Sequence, residues 1–374
     1  MKSAGPTKRG VWTSIREEDA WITTLESLAS NNGNWKDSFD EHINGTEIPK
    51  IIHFIWLGPK PIPKFPFLRE AADASECFES NALDWNECML SWRRHHPTSD
   101  GWKINLWTDQ DIIDDTILCN ENDLNVFQLH ASQMRNVDAF KYAMNIQHYA
   151  LASDILRLEV VNTFGGIYVD VDYWCVQCLN AISSINGSSA DVCGTLPPLQ
   201  FFCGESNTGC VELNNGIMAC CKGGHPIVWE MMQSVETYYI TLLSEDKPQQ
   251  ISSVQSLLFS FLYSETDAFQ VSQSGKVPSP MEVIEHTGPG LLTRKVFRWL
   301  CGEQRNYTTD VSADEDGSIR KMFDASQVMV FKKDIFHPFP NFLRQDRSTK
   351  LDKFIVQDVA IAIHLWGCAW QDDS

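Results

Sequence analysis

The chain has 374 residues, 43% of them hydrophobic, enough to bury a substantial core in one large domain or two smaller ones. With 30 Lys plus Arg against 49 Asp plus Glu, the net charge is -19. So acidic a surface repels phosphate polymers and excludes general nucleic-acid binding, while a small anionic ligand would need a local cation or a bound metal to offset the field.

No apolar run approaches the length that spans a bilayer. The opening stretch MKSAGPTKRGVWTSIREEDA carries basic residues with no apolar core behind them, so no signal peptide is expected. A soluble chain is expected, either complete or a catalytic part separated from a membrane anchor. Residues 1–47 are polar and mixed, with an Asn-Asn-Gly turn at 31–33, and read as an extension with some helix.

The run Ile51 to Leu57 is nearly continuously apolar and stops at Gly58-Pro59, the pattern of a buried strand. Pro59, Pro61, Pro63 and Pro66 then require an extended loop. Residues 82–95 read as helix and Lys103 to Trp107 as a second strand. From Val137 to Phe164 no Pro or Gly interrupts the chain, and Leu151, Ile155 and Leu158 fall on one helical face. Gly165-Gly166 ends that helix, and Ile167 to Val171 is a buried strand ending in Asp170 and Asp172.

Asn214 to Ala219 is a further strand, and His225-Pro226 precedes a helix to about Leu243. Helices are expected over Ser252–Tyr263 and Leu291–Leu300, and an acidic solvated loop over Asp310–Asp316. Gln327 to Phe331 and Phe354 to Leu365 supply late strands, the second of which could begin as helix. Strands alternating with helices predict an α/β layer architecture with a largely parallel sheet. No linker or internal repeat is visible, which favours one domain.

The 12 cysteines are scattered, with one CxxC (Cys175, Cys178) and one adjacent pair (Cys220, Cys221). Without a second pair at zinc-finger spacing, and following a strand, the CxxC points to neither structural zinc nor a redox motif. Buried thiols or some disulfides remain. Sequons at Asn44, Asn186 and Asn306, with the cysteine count, lean towards a Golgi or secretory lumen; the missing signal leans towards cytoplasm.

The chemistry concentrates between Ala150 and Trp174. Asp154 and Arg157, three apart, project from one helical face, a spacing that elsewhere marks a surface ion pair. One Gly-Gly turn later an apolar strand carries Asp170-x-Asp172 at its end. In an open α/β sheet ligands collect at the C-terminal ends of strands. A hard divalent cation held by such carboxylates neutralises the charge developing on a diphosphate leaving group. Asp-x-Asp by itself is usually a solvated loop; the strand, the glycines and the upstream charged face distinguish this one.

SDILRLEVVNTFGGIYVDVD (153–172) resembles the sugar-binding DXD region of glycosyltransferase family 32, and IPKIIHFIWLGP (48–59) resembles that family's first strand. Relatives of the family include yeast initiating mannosyltransferases, vertebrate α1,4-galactosyl- and α1,4-N-acetylglucosaminyltransferases and clostridial glucosylating toxins. The resemblance covers residues 48–225 well and the C-terminus more loosely. It implies a GT-A fold in one catalytic domain over 48–374, with a nucleotide-binding half to 225 and an acceptor-side half from 226. It also implies sugar transfer with retention at the anomeric carbon.

By the same resemblance Trp56 stacks on the donor base, although a core tryptophan is the other reading. Asp154 and Arg157 contact the donor sugar and diphosphate, Asp170 reaches the ribose or a metal-bound water, and Asp172 ligates the metal. Within Asn214-Asn215-Gly216, Asn215 is the residue expected to face the sugar; an ordinary Asn-Gly turn is the alternative. Thr287-Gly288-Pro289 matches an acceptor-side loop, and His364-Leu365-Trp366 a closing segment that helps hold metal and pyrophosphate, with His364 as third ligand. Ala369 stands where a Ser is usual in that segment.

The expected cofactors are Mn²⁺ or Mg²⁺ and a UDP-sugar donor, with GDP-mannose as runner-up; the expected partner is a glycan, glycolipid or protein acceptor. A non-catalytic sugar-nucleotide or glycan-binding module is the competing reading. A glycoside hydrolase is disfavoured, because carboxylates two residues apart cannot flank a sugar from opposite sides.

Overall fold

The computed structural model of the protein describes residues 48–61, 85–110, 124–129, 134–180, 199–209, 211–245, 277–300, 328–344, 351–355 and 359–367. The expected extension 1–47, Pro63 and Pro66, the helix at 252–263, the three sequons, the acidic loop and Ala369 lie outside these residues.

Nine strands are described: β1 Ile51–Trp56, β2 Lys103–Thr108, β3 Leu124–Gln128, β4 Gly166–Val169, β5 Tyr173–Cys175, β6 Phe201–Glu205, β7 Leu213–Cys220, β8 Val328–Phe331 and β9 Ala362–His364. The helices are α1 Trp85–His95, α2 Val137–Asn145, α3 Tyr149–Phe164, α4 Pro226–Glu245, α5 Pro280–His286, α6 Pro289–Leu300 and the short α7 Lys333–Phe336. Seven strands form one sheet in the order β3-β2-β1-β4-β7-β6-β8, and β5 pairs with β9 apart from it. Strand β7 runs antiparallel to both of its neighbours, and the other pairings in the large sheet are parallel. The mostly parallel α/β architecture expected from the sequence is present.

Alternation along the strands sorts the core into two layers. Ile52, Phe54, Ile167, Val169, Ile217 and Ala219 face one side, where Met89 and Trp92 of α1 and Phe336 of α7 cover them. Ile55, Tyr168, Met218 and Cys220 face the other, beneath Leu151, Ile155, Leu158, Val228 and Val296 of α3, α4 and α6. Because both faces are covered, the strands read as near-continuous apolar runs. Full burial of each large side chain is worth about 1.5–3 kcal/mol.

Several boundaries differ from expectation. The apolar-periodic stretch 137–164 is two helices: Gln147 adopts φ 57°, and the His148 ring accepts the Leu151 N–H, restarting the helix. Asp170 and Asp172 do not lie on the strand, which stops at Val169; they occupy the tight connection to β5. There Asp170 N–H donates to the Gly216 carbonyl (2.7 Å) and Tyr173 N–H to the Asp170 carbonyl (3.2 Å). Asn214-Asn215-Gly216 is not a turn but the interior of β7, at a register shift opposite Cys203/Gly204. Among the described residues of the late segment 354–365, strand spans only Ala362–His364, preceded by a 3-10 turn at Leu351–Phe354. Strands β3, β5 and β6 and helix α5 were not foreseen; each is short and lacks a long periodic signal. Cys175, Cys178 and Cys203 are free thiols, and Cys175 and Cys203 are buried, as are Cys88, Cys220 and Cys221.

Glu212, just ahead of β7, is buried, and that burial pushes its carboxyl from an ordinary value of 4.5 up to about 7, against the opposing pull of the nearby Ser206 and Thr208 hydroxyls, of which Thr208 donates to it (3.5 Å). A carboxyl raised in the folded state stabilises least where it must ionise. The penalty is absent below about 4.5, grows as pH rises and is complete above about 7. Glu212→Gln should therefore gain on the order of 2–3 kcal/mol at pH 8 and little at pH 4.5, read from urea unfolding at both pH values. An equal gain at both would reject this origin.

Candidate active site

Helix α3 supplies the first half of the site. Asp154 and Arg157 project from its sheet-facing side and are both buried. The helix ends at Gly165, and Gly166 (φ 90°) turns the chain directly into β4, where a Cβ would meet the Ile51 carbonyl oxygen at 2.5 Å. This glycine exit lets α3 and β4 run side by side, so Asp154 and Arg157 lie beside the carboxylates that follow the strand.

Arg157 binds on several sides. Its Nη2 lies 3.1 Å from Asp154 Oδ1 and 3.4 Å from Asp170 Oδ1, its Nη1 donates to the Asn215 carbonyl (2.8 Å), and its guanidinium lies 4.5 Å from the centre of the Tyr168 ring. Burial disfavours its charge, but Asp170, Tyr168 and Asp154 outweigh that and hold it protonated. Asp154 also accepts from Asn215 Nδ2 (2.9 Å) and Thr287 Oγ1 (3.1 Å). Burial raises its carboxyl, and Arg157, Asn215 and Thr287 oppose the rise.

The second half gathers Asp170, Asp172 and His364. One ligand atom from each lies within 4.8 Å of the others, the one such group of His, Cys, Asp or Glu among the described residues. Asp172 Oδ2 accepts from His364 Nε2 (3.2 Å) and from the Gly367 N–H (2.7 Å). Burial would raise this carboxyl, but the charge and hydrogen bond of His364 and the Gly367 donor hold it below its ordinary value. Asp170 behaves oppositely: burial raises it, Arg157 lowers it and the Asp172 charge raises it again. Its side chain is 28% exposed, against 10% for Asp154 and 12% for Asp172, so it is the carboxylate a ligand reaches.

Two carboxylates, one raising the other, beside an imidazole are a donor set that suits a hard divalent cation. The residues present fit the metal that the resemblance implies. His364 Nδ1 is buried without a partner, and its ring is set by packing, flat on Tyr173 (4.3 Å, 7°) and against Trp366 (4.0 Å). Trp366, at φ 54°, donates its Nε1 to the Phe339 carbonyl (2.9 Å).

Of the residues singled out from sequence, Asp154, Arg157, Asp170 and Asn215 form one network; Asp170, Asp172, His364 and Trp366 form a second joined to it at Asp170. Trp56 joins neither: it is 8% exposed, edge-on to Trp85 (5.3 Å, 67°), and donates to the Lys60 carbonyl (2.9 Å). Three participants escaped sequence reasoning, and a fourth, Thr287, was expected elsewhere. Tyr168 donates its hydroxyl to Asp170, and its place on β4 two residues before that carboxylate is a signal that could have found it. Thr287, expected on an acceptor-side loop, binds Asp154 directly. Tyr173 and His337 lie beneath His364, and nothing in the local sequence of His337 points there.

Residues 83–188 match the family described as "Glycosyltransferase sugar-binding region containing DXD motif". Over 138 residues the chain is 27% identical to inositol phosphoceramide mannosyltransferase 1 of Schizosaccharomyces pombe, a match covering 37% of this chain and 32% of that protein. The chain thus spans about a third of that relative's length. Solved structures similar to it include the PaToxG glycosyltransferase, at 17% identity and TM-score 0.41 over 77% of this chain and 82% of that one. The UDP-bound glycosyltransferase domain of the YGT toxin follows at 13% and 0.38, over 67% and 77%. The catalytic domain of alpha-toxin from Clostridium novyi stands at 11% and 0.41, over 95% and 83%.

Gly216 marks how tightly the two halves meet. A Cβ there would lie 2.6 Å from Asp170 Oδ2, 2.8 Å from Asn214 Oδ1 and 3.0 Å from Tyr173 Cε2. Gly216→Ala should displace Asp170 and weaken Mn²⁺ binding about tenfold or more while the chain stays folded. Mn²⁺ titration followed by electron paramagnetic resonance, with circular dichroism as the folding control, checks this; native affinity would refute it.

Proposed function

We propose that this glycosyltransferase of the DXD-containing group moves a hexose from a nucleoside-diphosphate sugar, a UDP-sugar in the first reading, to a hydroxyl of a glycan, glycolipid or protein. The observation that carries the proposal is the convergence of Asp170, Asp172 and His364 within 4.8 Å, beside the buried Arg157. In this reading residues 48–374 act as one catalytic unit, GT-A in type. Strand β9, from the far end of the described chain, pairs with β5 next to the carboxylates and so supports that unity.

Asp170, Asp172 and His364 would hold Mn²⁺ or Mg²⁺, which when bound offsets charge on the departing diphosphate. Arg157, kept cationic by its neighbours, adds a fixed positive charge on the same side. Asp154 and Asn215 orient the sugar, as two polar groups already fixed by hydrogen bonds to each other. Trp366 closes the pyrophosphate side, and Trp56 would meet the nucleobase after parting from Trp85.

Retention without a covalent intermediate is the mechanism proposed. Asp154 is the carboxylate best placed beside the sugar, and Arg157, Asn215 and Thr287 all draw on its lone pairs, which suits orientation better than nucleophilic attack. The acceptor hydroxyl then attacks from the face the diphosphate leaves, and the leaving phosphate takes its proton.

A second donor, GDP-mannose, is favoured by one observation: the similar protein of Schizosaccharomyces pombe is named a mannosyltransferase. That name also favours a glycolipid among the acceptors. A secretory compartment is proposed on the cysteine count and the sequons at Asn44, Asn186 and Asn306.

Donor hydrolysis across UDP-sugars and GDP-mannose, with Mn²⁺ or EDTA, tests the reading. One donor should be hydrolysed only with metal, and Asp172→Asn should lose about 100-fold or more in kcat. Native turnover in that variant would remove the metal assignment; donor binding by calorimetry with no turnover under any condition would point to a binding module.

A further inference from the structure

The carboxylates that follow β4 and the bulge of β7 belong to different strands, and a single buried side chain links them. Tyr173 opens β5 immediately after Asp172 and is fully buried. It stands directly opposite His364 in the β5–β9 pair, and the two rings lie flat on each other at 4.3 Å and 7°. Its hydroxyl lies 3.2 Å from Asn214 Oδ1 and 2.6 Å from His337 Nε2.

The proton directions in this cluster follow from counting. Asn214 Oδ1 also accepts the Gly216 N–H at 2.6 Å, so that atom is the amide oxygen and accepts from the phenol as well. With the phenol's one proton on Asn214, the 2.6 Å contact calls for the His337 tautomer protonated at Nε2, its Nδ1 then lying bare against Gly204. The His337 ring is held in place by Gly204, at the register shift opposite the bulge: a Cβ there would meet Cε1 at 3.0 Å. The line from His337 through Tyr173 thus meets the bulged backbone at Asn214 Oδ1, which accepts the phenol from one side and the Gly216 N–H from the other. That backbone's carbonyls hold the site: Asn215 takes Arg157 Nη1 (2.8 Å), and Gly216 takes the Asp170 N–H (2.7 Å).

We propose that Tyr173 is a positioning residue with two separable tasks: its ring sets the plane of His364, and its hydroxyl, driven by His337, locks the β7 bulge that presents Asn215 and anchors Arg157 and Asp170. The proposal rests on the reading of the site as a metal-dependent transferase. A plain packing role for a buried aromatic is the alternative, and it makes no demand on the hydroxyl.

Tyr173→Phe keeps the ring and removes only the hydroxyl; Tyr173→Leu removes the stack. In Tyr173→Phe, amides of β7 should exchange with deuterium at least tenfold faster by mass spectrometry, Mn²⁺ affinity should stay within about threefold, and kcat for donor hydrolysis should fall tenfold or more with KM little changed. Tyr173→Leu should also lose Mn²⁺ affinity about tenfold. His337→Ala should reproduce the Phe pattern, and His337→Gln, which still carries an N–H donor, should restore much of kcat. Unchanged β7 exchange in Tyr173→Phe overturns the lock, and unchanged Mn²⁺ affinity in Tyr173→Leu overturns the stack. A native chain that neither binds Mn²⁺ nor hydrolyses any donor would instead defeat the transferase reading, and the exchange measurement would still decide the role of the hydroxyl.

Discussion

Arg157 is the interaction on which the site depends, because three carboxylates crowd one region and its guanidinium pairs with two of them, Asp154 and Asp170. Buried like charges disfavour one another, and an ion pair taken out of water repays its desolvation only when its remaining bonds are made. Here they are made: the Asn215 carbonyl, Ser153 and the Tyr168 ring occupy the other faces of the guanidinium. With Arg157 set against Asp154, Asp170 and Asp172, the three carboxylates leave negative charge uncompensated. A divalent cation fits this imbalance. It would also offset, for an anionic ligand, the field of a chain of net charge -19.

The sheet explains why these groups meet. A strand antiparallel to its neighbours at the centre of a parallel sheet brings the start of β7 to the end at which β4 stops, so Asn214 and Asn215 arrive beside Asp170. The register shift then pushes the backbone of β7 out of its ladder and frees carbonyls for Arg157 and Asp170. Bulges commonly re-aim a strand in this way next to active sites. The small β5–β9 pair brings His364, distant in sequence, against Asp172.

Much of this was legible in the sequence, and the limits have physical causes. The apolar runs of β1, β4 and β7 are buried on both faces, so they announced themselves, and the Asp154/Arg157 spacing on α3 gave a charged face that the structure turns inwards. The break at Gln147 was invisible because a left-handed residue other than glycine leaves little compositional trace. The Asn-Gly sequence in β7 carries a turn signature, yet it falls at the register shift, where the paired residues before it (Leu213, Asn214) and after it (Ile217 to Cys220) keep the chain in the sheet. His337 and Tyr173 could not be found because their importance lies in contacts across long stretches of chain, which no local pattern encodes. Trp56 illustrates the converse: an aromatic next to a Gly-Pro stop reads equally as a base platform or as core, and its partners here are Trp85 and a backbone carbonyl.

The hydrogen bonds divide the three carboxylates into two kinds, and that division bears on how a ligand can enter. Asp154 and Asp172 are each held by fixed protein donors, and both are nearly enclosed. Asp170 accepts from Tyr168 and Arg157 yet remains the most open. Its neighbour at Gly216 has no side chain, so its second oxygen sits where a Cβ would otherwise be. Preorganised groups need no rearrangement when charge develops, whereas an entering cation must exchange its waters stepwise against a reachable oxygen. An open Asp170 between two fixed carboxylates meets both requirements: it would admit an ion into a geometry already set by Arg157 on one side and by Gly367 and His364 on the other.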